Sequence, residues 1–301
     1  MSLRIVFMGT PEFAVPALDI LVQNDYDVVG VVTATDKYGG RGGKQLIESA
    51  VKKYAVAHDI PVLQPEKRRD PAFLEALQKL EADLFVVVAF RMLPEVVWAM
   101  PPKGTFNLHG YLLPKYRGAA PINWAIINGE RETGVTTFFI QQEIDTGDVI
   151  LQAKMPIGEN ETAGEVHDQM MLLGAETVLK TVRLIEQGDV KLQRQDDAQA
   201  TKAPKIFHET CEIDFNQSTE RVHNFIRGLS PYPAAWTTLD GQQLKIFRTT
   251  TEITPHNNKP GTFLSDNKKM LKIATADGYV HVHELQLQGR PFYFYILASA
   301  L

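Results

Sequence analysis

The chain has 301 residues, 44% of them hydrophobic, a single cysteine and a formal net charge of −5. That length supports a full core divided over two domains. The acidic balance excludes a surface that adheres wholesale to nucleic acid, and the lone Cys211 excludes an internal disulfide.

No apolar run approaches the roughly 18 residues of a membrane helix. The opening MSLRIVFMGTPEF lacks the layout of an export leader, so a cytoplasmic protein without a membrane anchor is expected. The histidines are scattered, with none at metal-ligand spacing, so no metal is expected.

Leu3 to Met8 is an apolar run ending at Gly9-Thr10-Pro11, and the following EFAVPALDILV has helical spacing. A buried strand that enters a helix through a tight turn is how a doubly wound α/β fold begins. The single Gly9 is not the three-glycine fingerprint that lets a backbone approach a dinucleotide, so a Rossmann-like shape without NAD is expected.

Val28 to Thr33 reads as a second buried strand. Between Asp36 and Lys44, four glycines alternate with Lys37, Arg41 and Lys44. The spacing misses a P-loop at Tyr38 and Gln45, which leaves a mobile basic finger able to order itself on phosphates. Glu48 to His58 is a helix, and Pro61 to Leu63 a short strand. Asp70 caps a helix with Pro71 at its first position and Phe73, Leu74, Leu77 and Leu80 as its stripe.

Asp83 to Ala89 is a strand of the kind buried between helices, and Phe90 to Pro94 form a loop at its carboxyl end. Ligands bind at such ends. In the strand Thr105 to His109, alternation places Asn107 and His109 on one face and Phe106 and Leu108 on the other. Gly110, Pro114, Gly118 and Pro121 then impose an irregular loop.

Trp124 to Asn128 is helical and Gly134 to Gln141 a strand. Asp145-Thr146-Gly147-Asp148 turns into the strand Val149 to Ala153. Thr162 and Glu165 form a capping box on a long helix that ends at Gly188 and closes the first domain. A polar linker follows at 190–207, and Ser218 caps a helix that runs to Leu229. From Trp236 onward, short strands separated by Asp-Gly and Asn/Pro/Gly turns point to a small antiparallel barrel or sandwich.

Asn107, His109 and Asp145 are three polar groups of different kinds, suited together to acyl transfer onto an amine. The amide N–H stabilises a developing oxyanion, the imidazole moves protons, and the carboxylate orients and charges the imidazole. No serine or activated cysteine belongs to the set, so direct attack by a substrate amine is expected rather than an acyl-enzyme.

The run N-L-H-G-x-L-L-P-K-Y-R-G-A-A-P-I-N with the later I-D-T-G-D resembles the folate-dependent formyltransferases, whose pattern is N-x-H-x-S-L-L-P-x-x-R-G followed by an Asp-Thr-Gly turn. The opening F-M-G-T-P-E-F-A, the G-R-G of the basic finger and I-R-G-L-S-P-Y-P-A-A-W with L-D-G-Q-Q-L-K-I are similar, over nearly the whole chain, to members of that family that formylate methionyl-tRNA.

The resemblance implies a Rossmann-like, mostly parallel catalytic domain at 1–189, a linker at 190–207 and an OB-like barrel facing tRNA at 208–301. It implies 10-formyltetrahydrofolate as formyl donor and initiator methionyl-tRNA as acceptor, with Asn107, His109 and Asp145 catalytic. Tyr111, Leu112, Leu113 and Pro114 would form the folate loop, and Phe90, Arg91, Met92 and Leu93 would line its pocket. Arg41 matches the loop that meets the tRNA acceptor end, with Lys44 as a second cation.

Two positions depart from the family pattern. Tyr111 stands where a small serine is usual, and the ending Gly289 to Leu297 is aromatic rather than charged and helix-like. Other readings keep the chemistry with a small acceptor, glycinamide ribonucleotide or an amino sugar, or make the chain an RNA-binding module whose folate pocket is filled by Tyr111.

Overall fold

The computed structural model describes residues 3–290 and the backbone of Tyr293 and Phe294. The chain forms two compact units. The first comprises 1–117, 134–154 and 168–202, and the second 118–133, 155–167 and 203–301. The aromatic ending expected at Gly289 to Leu297 lies mostly outside the described residues.

The first unit is built on a seven-stranded sheet. Its order is Val149–Pro156, Glu132–Phe139, Thr105–His109, Leu84–Val88, Arg4–Gly9, Asp27–Val32 and Val62–Leu63. The strands from Thr105–His109 to Val62–Leu63 run parallel, and Glu132–Phe139 joins them antiparallel. The central strands are continuous apolar runs because both faces are covered: Ile5, Val6, Phe7, Met8, Leu84, Val86 and Val88 are fully buried.

Sequence signals set the helix starts. Asp70 accepts from Ala72 N at 3.1 Å and opens the helix Pro71–Lys79, which buries Phe73 and Leu77. The expected finger is a short antiparallel hairpin, Lys37–Gly39 with Gln45–Ile47, so the segment has more order than its glycines suggest. Cross-strand pairing supplies that order and includes Gly39, paired with Gln45, while Gly40, Gly42 and Gly43 at the tip take positive φ.

The polar stretch read as a linker is partly stitched to this sheet. Gln193 exchanges backbone hydrogen bonds with Val149 at 2.8 and 2.9 Å, and Thr201 Oγ1 accepts from Tyr116 N at 2.8 Å. Among the described residues no helix is long and apolar enough to cross a membrane.

The second unit carries an antiparallel sheet in the order Ala235–Leu239, Gln242–Ile253, Gly278–Leu287, Leu271–Ala274 and Phe263–Ser265, with Tyr293–Phe294 paired to Gly278–Leu287. The helix Thr219–Leu229, capped by Ser218, packs Val222, Ile226 and Leu229 with Leu244, Ile246, Val280 and Val282 of that sheet. A Cβ on Gly228 would stand 2.7 Å from Ile127 Cγ1, so this residue lets the helix Pro121–Ile127 come close. Asn123 Nδ2 then reaches Gly228 O at 2.8 Å. The buried Arg227 donates to Asn224 Oδ1, Gly158 O and Glu161 O, which satisfies its charge with oxygens.

Candidate active site

The strand Thr105–His109 lies where sheet direction changes. Its Asn107 pairs with Val87 on the parallel side and Phe138 on the antiparallel side. Phe106 and Leu108 are buried on one face, and a Cβ on Gly174 would be 2.7 Å from Leu108 Cδ2, so the helix Ala163–Gln187 covers that face. Strand alternation sends Asn107 and His109 to the other face. Asn107 is half-buried and His109 is 5% exposed.

His109 is held at both ring nitrogens. Nε2 lies 2.9 Å from Tyr116 O, and a carbonyl only accepts, so Nε2 carries the proton in this hydrogen bond. Nδ1 therefore faces Asp145 Oδ2, 3.7 Å away, as the nitrogen free to gain or lose a proton. Burial pushes the imidazole below its ordinary pKa, opposed by the Asp145 carboxylate and the Tyr116 carbonyl, which favour the cation.

Asp145 arrives on its turn with φ +57°, a conformation that Asp tolerates better than most residues. Gly147 is required behind it: a Cβ there would stand 1.6 Å from Phe139 O. Gln195 Nε2 donates to Asp145 O and Gly147 O at 2.8 Å each, and Arg117 donates to Gln195 Oε1 at 2.8 Å through one nitrogen and 3.2 Å through the other. Gln195 was not singled out in the sequence, and Arg117 stood there only as the arginine of the R-G in the family pattern. No local period marks them.

The loop 111–114 is fixed through its backbone. Thr136 Oγ1 donates to Tyr111 O at 2.6 Å and accepts from Leu113 N at 3.0 Å, while Gln152 Nε2 donates to Leu113 O at 2.9 Å. The Tyr111 ring is 3% exposed and meets the Tyr116 ring edge-on at 4.5 Å, so it packs inward instead of standing free beside the loop. Leu113 packs with Phe138 and Val149. Leu112 and Pro114 are half-buried.

At the carboxyl end of Leu84–Val88, Leu93 is buried in an apolar cluster that Phe90 packs against, and Met92 is 59% exposed. Arg91 lies over the Phe90 ring at 5.9 Å and donates to Pro65 O at 3.4 Å. Close to it is Arg68, whose Nε is buried without a hydrogen-bond partner; burial and the Arg91 charge both push its pKa down. A buried guanidinium nitrogen with no oxygen, beside a second cation, is the environment an anionic ligand completes. Sequence reasoning missed Arg68, whose only signal was the Arg68-Arg69 pair.

Arg41 and Lys44 are exposed and belong to the hairpin 37–47, whose Tyr38, Leu46 and Ile47 are also open to solvent. The structure thus joins His109 to Asp145 and the 111–113 backbone to Thr136, and shows Arg41 and Lys44 exposed on the hairpin. Among the described residues no group of three or more His, Cys, Asp or Glu is placed to hold a metal ion.

A model of the formyl transferase family matches residues 3–182, and one of its C-terminal domain matches residues 205–293. The chain is 54% identical over 298 residues to methionyl-tRNA formyltransferase of Bacteroides fragilis, covering 96% of this chain and 92% of that protein. It is 52% identical over 294 residues to the enzyme of the same name from Flavobacterium johnsoniae, covering 96% and 93%. Among solved structures it is similar to the N-formyltransferase from Helicobacter canadensis in complex with folinic acid and dTDP-3-aminofucose. That match has a TM-score of 0.71 at 22% identity over 93% of this chain and 98% of the other, a likeness of fold.

Proposed function

The chain belongs to the formyl transferase family, and from this we propose that it transfers a formyl group from 10-formyltetrahydrofolate to the α-amino group of methionine carried on initiator tRNA. The acceptor is the one named in the relatives of more than half identity, which match along nearly the whole chain. Such a reaction belongs in the cytoplasm, where charged tRNA is used.

The observation that carries the chemistry is the two-sided hold on His109. With Nε2–H committed to Tyr116 O, Nδ1 takes the proton that the attacking amine releases as its nitrogen bonds to the formyl carbon, and the Asp145 carboxylate stabilises the imidazolium that results. The imidazolium returns that proton to the folate nitrogen as its bond to the formyl carbon breaks, leaving tetrahydrofolate. The Asn107 amide, on the same face of the strand, donates to the negative charge that develops on the formyl oxygen. The folate supplies the activated formyl group. Its glutamate tail ends in carboxylates, which the Arg68 and Arg91 guanidiniums fit, and the backbone of 111–114 with Phe90 to Leu93 borders its ring. Arg41 and Lys44 on the hairpin meet phosphates of the tRNA acceptor end.

The test is formyl transfer by the purified protein from 10-formyltetrahydrofolate to methionyl-tRNA, measured beside glycinamide ribonucleotide and an amino sugar as acceptors. The expected result is transfer to methionyl-tRNA alone, with log KM for the tRNA rising with log salt by roughly 0.7–0.9 per phosphate neutralised. Transfer to a small amine with no response to tRNA would sink the proposal. Binding of tRNA without binding of folate would leave only an RNA-binding module.

A further inference from the structure

Both feet of the hairpin 37–47 are tied to one ammonium group. Asp36 immediately precedes its first strand and Glu48 immediately follows its second. Lys52 Nζ lies 2.5 Å from Asp36 Oδ2 and 2.9 Å from Glu48 Oε1. Two carboxylates twelve positions apart in sequence thus meet on a cation that neither strand contains.

The ammonium is itself held in place. Lys52 sits in the first turn of the helix Ala50–Ala57, where Ser49 Oγ accepts from Lys52 N at 3.0 Å and pairs with Thr33 Oγ1 at 2.6 Å. Val51 and Ala55 of the same helix are fully buried. The second oxygen of Asp36 accepts from Gln64 Nε2 at 2.8 Å, and that amide also donates to Ala34 O at 3.0 Å. The Lys52 and Asp36 side chains are only 16% and 21% exposed, so the pair is screened less than an ordinary surface contact. Hydrogen bonds to Asp36 and Glu48 hold the Lys52 pKa up, and those from Lys52 and Gln64 hold Asp36 down.

The far end of the hairpin is closed only by backbone, with Gly43 N donating to Gly40 O at 3.1 Å. Gly42 and Gly43 have positive φ and nothing within 4 Å of where a Cβ would be. Strands of three residues are too short to be stable alone in water, so the direction of the hairpin depends on closure at its base. We propose that Lys52 is a positioning residue: by joining Asp36 to Glu48 it closes the base of the hairpin and fixes where Arg41 and Lys44 are presented to RNA phosphates. This rests on the reading that the hairpin contacts tRNA.

The experiment compares Lys52→Met and Lys52→Arg with the wild-type full-length protein by hydrogen exchange over residues 37–47, by trypsin cleavage after Arg41 and Lys44, and by steady-state kinetics. Expected for Lys52→Met are faster exchange and cleavage in the hairpin and a KM for methionyl-tRNA raised about tenfold, with kcat and the folate KM within about twofold. Lys52→Arg, which keeps both charge-assisted bonds within reach, restores hairpin protection and most of the tRNA KM. The double variant Asp36→Asn/Glu48→Gln removes the tie from the other side, leaves the helix untouched and gives the same split. Unchanged hairpin protection in Lys52→Met and in the double variant overturns the positioning role. A loosened hairpin with an unchanged tRNA KM overturns instead the reading of the hairpin as a tRNA contact.

Discussion

Gln195 gives its side-chain amide to the carbonyls of both Asp145 and Gly147 at 2.8 Å, and so grips the acidic turn from 50 positions further along the chain. Its own oxygen is fixed by Arg117. The arrangement holds the turn from outside while Asp145 faces His109.

Gln195→Ala is therefore expected to release the turn without touching either substrate. Its two hydrogen bonds to the turn, each worth about 0.5–1.5 kcal/mol, are lost together with the two it accepts from Arg117, and kcat is expected to fall about tenfold or more with both KM values nearly unchanged. Steady-state formyl transfer checks this. A rise in KM with unchanged turnover would place Gln195 in binding.

His109→Ala and Asp145→Ala are expected to lower kcat by about 100-fold or more, and to raise KM far less. The measurement is single-turnover transfer with both substrates saturating. Turnover at the wild-type rate in either variant would remove that residue from the chemistry.

The pH dependence follows from His109. Its folded-state pKa lies below the ordinary value, with burial as the main cause, so the neutral, proton-accepting form dominates at neutral pH. Activity is expected to decline as pH falls through that lowered value. Asp145→Asn removes a charge that favours the cation, so the acid limb of kcat/KM moves to still lower pH. For stability, a depressed His pKa means that the unfolded chain binds the proton more readily. The contribution is intact above the unfolded pKa of about 6.5 and is lost as pH falls from there through the folded value. A pH profile of kcat/KM with thermal midpoints in the same buffers tests both statements.

Thr136→Val leaves Leu113 N without its acceptor and removes the hydroxyl's hydrogen bond to Tyr111 O, since a methyl replaces the hydroxyl between them. A buried unpaired group costs about 1–3 kcal/mol, so the thermal midpoint falls and affinity for a folate analogue weakens together with it. Calorimetric titration with 5-formyltetrahydrofolate is the check, and unchanged affinity would separate the 111–113 backbone from folate binding.

Arg68→Gln and Arg91→Gln are expected to raise the KM for 10-formyltetrahydrofolate about tenfold each while leaving kcat close to wild type. Binding of an analogue that lacks the glutamate tail should be indifferent to both changes. Equal losses for the two ligands would put these arginines elsewhere in the reaction.

Much of the fold was legible in the chain because its signals are local. The apolar run Asp83 to Ala89, the Asp70-Pro71 helix start and the alternation through Asn107 and His109 each depend on neighbours within a few residues, and the structure places all three as expected. Asp145 was legible too, because Asp-Thr-Gly-Asp is turn chemistry. The supports of the site were not. Gln195, Thr136 and Gln152 act through side-chain contacts across long sequence separations, which leave no period. Residues 190–207 looked like a spacer for the same reason: polarity conceals that Gln193 and Gln195 are bonded to the sheet edge and the acidic turn. The hairpin was read as mobile because glycine content describes its tip and says nothing of Lys52 at its base.

The absence of room at Gly147 limits how this site could be re-engineered. Because the Phe139 carbonyl occupies the volume a side chain would need, transplanting the acidic turn into another scaffold requires moving residues 139–148 as one cassette with a glutamine to brace it. Libraries that randomise 147 would return mostly misfolded clones. Diversity is better spent at Glu143 and Ile144, which are open to solvent.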